Sequence, residues 1–490
     1  MKKLLFYWAF LLSCMCHSQS YTTSIPFLMK KDGQSFSYVD QSKDEAYLFV
    51  ANAKKVRVIH YDTKFNHLDT LMTTIPGNKS DNMIGFSKNG STVNLIWSSK
   101  NGNKFLFQNL DFATKKVTLT TKEFRFNNET VVQTFSSNDA FYCLSVVDNS
   151  STLKLYRFNS NNELDEKTID VSSTVFSDSN NQRANVYDLL SESFGSFESA
   201  FELQNIDVTV PNSLAICSKK RKAYFSNNEL VLTFDNNPLS TQIITIKLDD
   251  YSSVVQKIDQ PSDKIVSTQT NSYYFDHHLY QIKVSMNQLF FSIKKRTGET
   301  VKEFSANSSE TISFKNSDFL AEWVNPFAES KITTTQQFIS KIYSSQPGIS
   351  CYNLNGKNII SMGGVSERIK KIDPNEQDSS TYSYPVFAGG AIGGLLAASA
   401  YVLFGGYNGT SVFNNNFKSS RNIVSIHSLF SKDFELQTDK VNAYSSTKMC
   451  SYFNGFAPIK YPTFFSTNGK AYIGSYNEDA KQYVVMRFDN

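Results

Sequence analysis

The amino-acid sequence predicts an all-β protein: a single β-propeller of about seven four-stranded blades, with N-terminal strand closure and two insertions. Three observations predict it. A short element recurs as Phe86-Ser87-Lys88-Asn89-Gly90, Phe135-Ser136-Ser137-Asn138-Asp139, Phe225-Ser226-Asn227-Asn228-Glu229 and Phe465-Ser466-Thr467-Asn468-Gly469. Each copy leads through two alternating apolar runs to Asp111, Asn159, Asp249 or Asp489, 24 or 25 residues after its phenylalanine. Looser copies run from Tyr38 to Asp62 and from Phe275 to Arg296-Thr297-Gly298. Neighbouring copies start 48 to 50 residues apart, with two longer steps of 90 and 190, and a repeat of this length built of short strands marks a propeller. Third, the last unit, Phe465 to Asn490, stops after its third strand and leaves the ring one strand short.

The first segment, residues 1–18, reads as a signal peptide. Lys2 and Lys3 precede an apolar run from Leu4 to Leu12, too short to span a bilayer, and cleavage fits after Ser18. Leu11-Leu12-Ser13-Cys14 also matches a bacterial lipobox, which would put a lipid on Cys14; the short apolar run favours soluble export. The mature chain, 19–490, is therefore expected outside the cytoplasm: periplasmic, outer-membrane-associated or secreted in a Gram-negative bacterium. It opens with Tyr21 to Met29, an extended stretch without partners of its own and the candidate for the missing strand.

Each following unit reads strand, turn, strand, loop, strand. Examples are Val93 to Trp97 with Lys104 to Phe107, Phe141 to Val147 with Leu153 to Phe158, and Leu230 to Phe234 with Ile243 to Leu248. The Phe-Ser-x-Asn-Gly element is expected at the first hairpin and the Asp-bearing element at the third, because Asn, Asp and Gly accept the positive φ of tight turns. Two stretches break the repeat and are read as insertions, at about 172–212 and 305–420. The first contains Ala184 to Leu190, which suits a short helix.

The second contains the uncharged run from Val386 to Gly406, long enough for a membrane helix and rich in Gly-x-x-x-Gly spacings. A true span would strand the Phe465 repeat on the far side of the membrane, so burial within the fold is the expectation. Ile423 to Leu429 then suits the third strand of that blade.

Composition agrees with sheet. Of 490 residues, 40% are hydrophobic and 14% aromatic, led by 40 Phe and 25 Tyr. The net charge of +4 is nearly neutral and gives no footprint for nucleic acid. Cys143, Cys217, Cys351 and Cys450 survive signal removal; an oxidising compartment permits disulfides, their three pairings stay open, and Cys143 equally suits a small buried hydrophobe.

No catalytic or cofactor-binding motif stands out, and neither a catalytic residue, a cofactor nor a metal is assigned. His277-His278 is expected in a hairpin turn. Asp235-Asn236-Asn237 and Asn477-Glu478-Asp479 fall in loops between second and third strands, the face where propellers usually bind, and are read as solvated turns. Trp323 is read as packing.

Gly85-Phe86-Ser87-Lys88-Asn89-Gly90, followed by Ile96-Trp97-Ser98-Ser99, Leu106-Phe107 and Leu110-Asp111, resembles the repeat of TolB-type propellers. The resemblance covers about six units, and Lys-Asn, Ser-Asn or Thr-Asn replaces the usual Pro-Asp. It implies an exported interaction scaffold without chemistry of its own. The expected function is a non-catalytic binding scaffold at the cell envelope, engaging an envelope protein or glycan through one propeller face. Membrane contact is expected only through a lipid on Cys14 or a span at 386–406. The alternative is an extracellular hydrolase with carboxylates from several blades meeting at the channel.

Overall fold

The computed structural model describes residues 19–488 apart from 30–32, 41–42, 77–81, 100–103, 124–125, 138, 196, 209–210, 227, 262–267, 324–330, 372–416, 442–459 and 468–469. The run from Val386 to Gly406, Cys450 and the leader at 1–18 lie outside the described residues.

Among the described residues seven sheets, antiparallel apart from one added strand, form the blades of one propeller. Blade one is Gln34–Asp40, Glu45–Ala51, Lys55–Tyr61 and His67–Thr74; blade two is Asn82–Asn89, Thr92–Ser98, Lys104–Asp111 and Val117–Glu123. Blade three is Glu129–Ser137, Ala140–Val147, Thr152–Phe158 and Leu164–Asp170. Blade four, Arg221–Ser226 to Ser253–Asp259, carries a fifth strand, Gln204–Ile206, parallel to its first. Blade five runs from Gln269–Phe275 to Thr300–Asn307.

Blade six takes its outer strand from before its inner one. Leu320–Trp323 pairs with Phe417–Phe430, and the sheet continues to Lys357–Lys371 and Gln346–Leu354. The stretch at 305–420 thus holds three strands of this blade, besides helix Thr335–Tyr343. Ile423 to Leu429 is its third strand, as expected. The break at 172–212 holds a two-stranded ribbon and helix Val186–Ser191, whose N-cap Asn185 forms a capping box with Asp188.

The N-terminal strand closes the ring. Gln19–Pro26 pairs antiparallel with Gln482–Phe488 and becomes the fourth strand of blade seven. That pairing covers an edge that would otherwise be open to another chain.

The hairpins explain the repeat. The turn residues Gly90, Asp139, Asn228, Asp276, His277, Asn355 and Gly356 have positive φ, all at first hairpins. Asp62, Asp111 and Asn159 accept backbone N–H groups from their own third-hairpin turns at 2.8–3.3 Å. The second strands of blades two and three and the third strand of blade four are buried along nearly their whole length, on both faces. The fourth strand of blade two is exposed along nearly its whole length.

The core is a set of layers between blades. Phe36, Phe49, Phe86, Leu95 and Trp97 fill the gap between blades one and two. Gly85 is required at the next gap: a Cβ there would sit 2.5 Å from the Phe141 ring of blade three. Cys143, Cys217 and Cys351 are buried free thiols, and burial pushes each of them up from the usual thiol range.

Candidate functional site

Each third-hairpin turn leans on the preceding blade. In two of these turns, and in the turn Ser431–Glu435 that follows the third strand of blade six, an aromatic residue adopts the left-handed conformation: Phe65 at φ 68°, Tyr251 at 58° and Phe434 at 61°. Bulky side chains rarely take this conformation, and here it drives a ring into the junction. Phe65 stacks on Phe465 and Tyr472 of blade seven, with centroids 5.3 and 4.7 Å away. Phe434 packs on His278 of blade five at 4.6 Å. Lys115 and Asn162 hold the same slot in blades two and three; Lys115 pairs with Asp69, and Asn162 bonds Asn109.

At the junction of blades three and four the arrangement leaves a groove of about 580 Å³. Tyr142, Arg157, Asp165 and Lys167 of blade three face Asn228, Leu248, Asp249, Asp250 and Tyr251 of blade four. Tyr251 is fixed by Lys167, whose ammonium lies 5.5 Å from the ring centroid. Lys167 is in turn 3.1 Å from Asp165. Burial raises the phenols of Tyr142 and Tyr251 on balance, and the charge of Arg157 only partly opposes it.

Asp249 and Asp250 reach the groove through a shift in the repeat. Leu248 N donates to Asn228 O as Phe112 N donates to Ser91 O, so Lys247 occupies the slot that Asp111 holds in blade two. The aspartates therefore fall at the exposed tip of the turn. Asp250 accepts from Ser252 N and Oγ, and these bonds hold its carboxyl below the usual range. Asp249, aligned with Asp111 by the repeat spacing, does lie in the third hairpin turn, but past the capping slot that Asp111 fills, and it accepts no bond from its turn among the described residues.

A second cluster lies where first hairpins converge on the ring axis. Lys43 of blade one donates to Asp139 of blade three at 2.6 Å, a contact between blades that are not neighbours. Lys43 also lies 3.4 Å from Asp40, which accepts from Tyr38 at 3.3 Å. Lys88 of blade two pairs with Glu45, and His60 lies 3.8 Å from Glu45 while stacking on Tyr47. Burial lowers the His60 imidazole despite Glu45, and raises the Tyr38 phenol, reinforced by Asp40 and Asp139. Acidic and aromatic groups therefore do meet at one end of the channel, each carboxylate with a lysine beside it.

The residues singled out in the sequence are placed as follows. Asp276-His277 forms the first hairpin turn of blade five, as expected, and His278 Nδ1 lies 2.6 Å from Asp276 O. Asn477-Glu478-Asp479 is an exposed turn, in which Asn477 accepts from Ala480 N. Asp235-Asn236-Asn237 is not a solvated turn: all three residues are buried. Asp235 accepts from Lys222 Nζ, Thr241 Oγ1 and both N and Oγ of Ser272, joining blades four and five. Trp323 pairs through its backbone with Asn422.

One serine–histidine pair escaped sequence reading. Ser361 Oγ lies 2.7 Å from His427 Nδ1 across paired strands of blade six. Burial pushes the imidazole down to about 4, which suits a cross-strand hydrogen bond better than a general base. Among the described residues no group of three or more His, Cys, Asp or Glu is placed to hold a metal, and no helix is long and apolar enough to cross a membrane.

No protein-family model and no curated sequence matches this chain. Among solved structures, a chimera of an apocarotenoid oxygenase with RPE65 aligns at a TM-score of 0.30 and 7% identity, over 57% of this chain and 62% of that one. A cobalt-substituted Synechocystis apocarotenoid oxygenase aligns at 0.29 and 8%, over the same shares. A subtype N10 neuraminidase-like protein of A/little yellow-shouldered bat aligns at 0.28 and 8%, over 83% of this chain and 98% of that one. The chain spans about three fifths of the oxygenase structures, 62% of their length. At these scores the likenesses carry no argument about activity.

Proposed function

We propose that this propeller is an exported, non-catalytic binding scaffold of the cell envelope, engaging a protein or a glycan through the face that carries its first and third hairpin turns. The observation that carries this reading is the groove between blades three and four, an open polar recess whose volume of about 580 Å³ falls in the small-ligand range. The leader at 1–18 supports export, and the resemblance of the Phe86 repeat to TolB-type repeats supports an interaction role.

The alternative, an extracellular hydrolase at the channel, is favoured by the convergence of Asp40, Glu45 and Asp139. The engagement of Asp139 by Lys43 and of Glu45 by Lys88, lysines of other blades, favours a structural role instead. The test is a panel of glycosidase, esterase, phosphatase and peptidase substrates, with the mature chain and an E45Q/D139N variant. No turnover above that variant is expected. Turnover that the variant loses would establish the hydrolase.

A further inference from the structure

We propose that the groove between blades three and four is a carbohydrate site, taking a short neutral or amino-sugar oligosaccharide. This rests on the scaffold reading and names its ligand class.

The lining has the chemistry of sugar recognition. Asp165, Asp249, Asp250, Asn228 and Arg157 are planar polar groups, able to make paired hydrogen bonds to neighbouring hydroxyls. Tyr251 is a half-exposed ring held in place by its left-handed backbone and by Lys167, a rigid platform for the apolar face of a sugar. Asp249 stands exposed on the rim, with its carboxylate not committed to its own turn. The slip that puts Lys247 in the capping slot is what frees it.

Other ligand classes fit worse. Three carboxylates face Arg157 and Lys167, and Lys167 is already paired with Asp165, so a phosphate or polyuronate meets net repulsion. Leu248 is the one aliphatic side chain in the lining and is buried, so a peptide finds no pocket for an apolar anchor. Arg157 and Lys167 both line the groove, and their charges disfavour a bare cation there.

The experiment is calorimetric titration of the full mature chain with cellopentaose, chitopentaose and a galacturonate trimer, with reducing-end release followed in the same samples. At least one neutral or amino-sugar pentasaccharide is expected to bind saturably. Tyr251→Ala and Asp249→Asn are each expected to weaken it at least tenfold, and Glu299→Gln, on a turn of blade five, to leave it unchanged. Asp249 is exposed, so its variant stays folded even where Tyr251→Ala does not. Failure of both pentasaccharides to bind, preference for the galacturonate, or wild-type affinity in Asp249→Asn overturns the carbohydrate assignment and leaves the scaffold standing. Reducing-end release that Asp249→Asn abolishes overturns the scaffold reading and leaves the carbohydrate assignment standing.

Discussion

Ser37 and Thr463 share a buried hydrogen bond of 2.9 Å between their side-chain oxygens, although 426 residues separate them. It joins the inner strands of blades one and seven. Beside it the Tyr483 hydroxyl, wholly buried, lies 3.0 Å from Ser35 Oγ and 3.0 Å from Tyr461 O. The two ends of the chain thus meet in one polar seam. The N-terminal strand then covers the outer edge of the blade on the far side of that seam.

A fully buried ion pair helps tie the insertion to blade four. Glu198 accepts from Arg221 Nε at 2.6 Å, and both side chains are fully buried. Arg221 also donates to the carbonyls of Leu189, Leu190 and Ser199. Glu198→Ala strands that guanidinium and is expected to cost about 3–5 kcal/mol, read from urea unfolding. A loss below about 1 kcal/mol would mean the pair is not sealed from water.

His427 makes stability depend on acid. Its folded imidazole titrates at about 4 because of burial, against an ordinary 6.5. The unfolded chain therefore takes up the proton first as pH falls. This contribution is intact above 6.5 and is lost progressively down to about 4, at up to about 1.4 kcal/mol per pH unit. Urea midpoints between those pH values should fall more steeply for the wild type than for His427→Gln. Parallel slopes would place the imidazole in water.

The left-handed aromatics set local strain against packing. Phe65→Gly removes a backbone strain of about 1 kcal/mol and loses a stacked ring worth roughly 2 kcal/mol or more at this half-buried position. A net drop in melting temperature is expected. A rise would show that the ring contributes little to the junction with blade seven.

The repeat was legible because hairpin chemistry is local: Asn89-Gly90 and Asp276-His277 announce their turns wherever the blades sit. The closing strand was legible because Tyr21 to Met29 reads as an extended stretch without a hairpin partner of its own, and Gln19–Pro26 does pair with Gln482–Phe488. The groove was not, because Tyr142, Arg157, Asp165 and Tyr251 are scattered over four strands and turns, and sequence spacing aligned Asp249 with Asp111, whose slot Lys247 fills. Lys219-Lys220-Arg221-Lys222 is the sharpest case. Four consecutive cations suggest a solvated surface, yet all four are buried. Their partners, Glu202 and Phe197 O for Lys219, Thr270 O for Lys220, Glu198 for Arg221 and Asp235 for Lys222, come from other segments that only the folded ring brings near.

Amide hydrogen exchange on the full mature chain and on a chain lacking residues 19–26 tests the closed ring most directly. The closed ring predicts that deletion lowers protection at 482–488, the strand paired with the N-terminus, and at 34–40, across the seam, by at least about a hundredfold. Unchanged protection at both strands would contradict it.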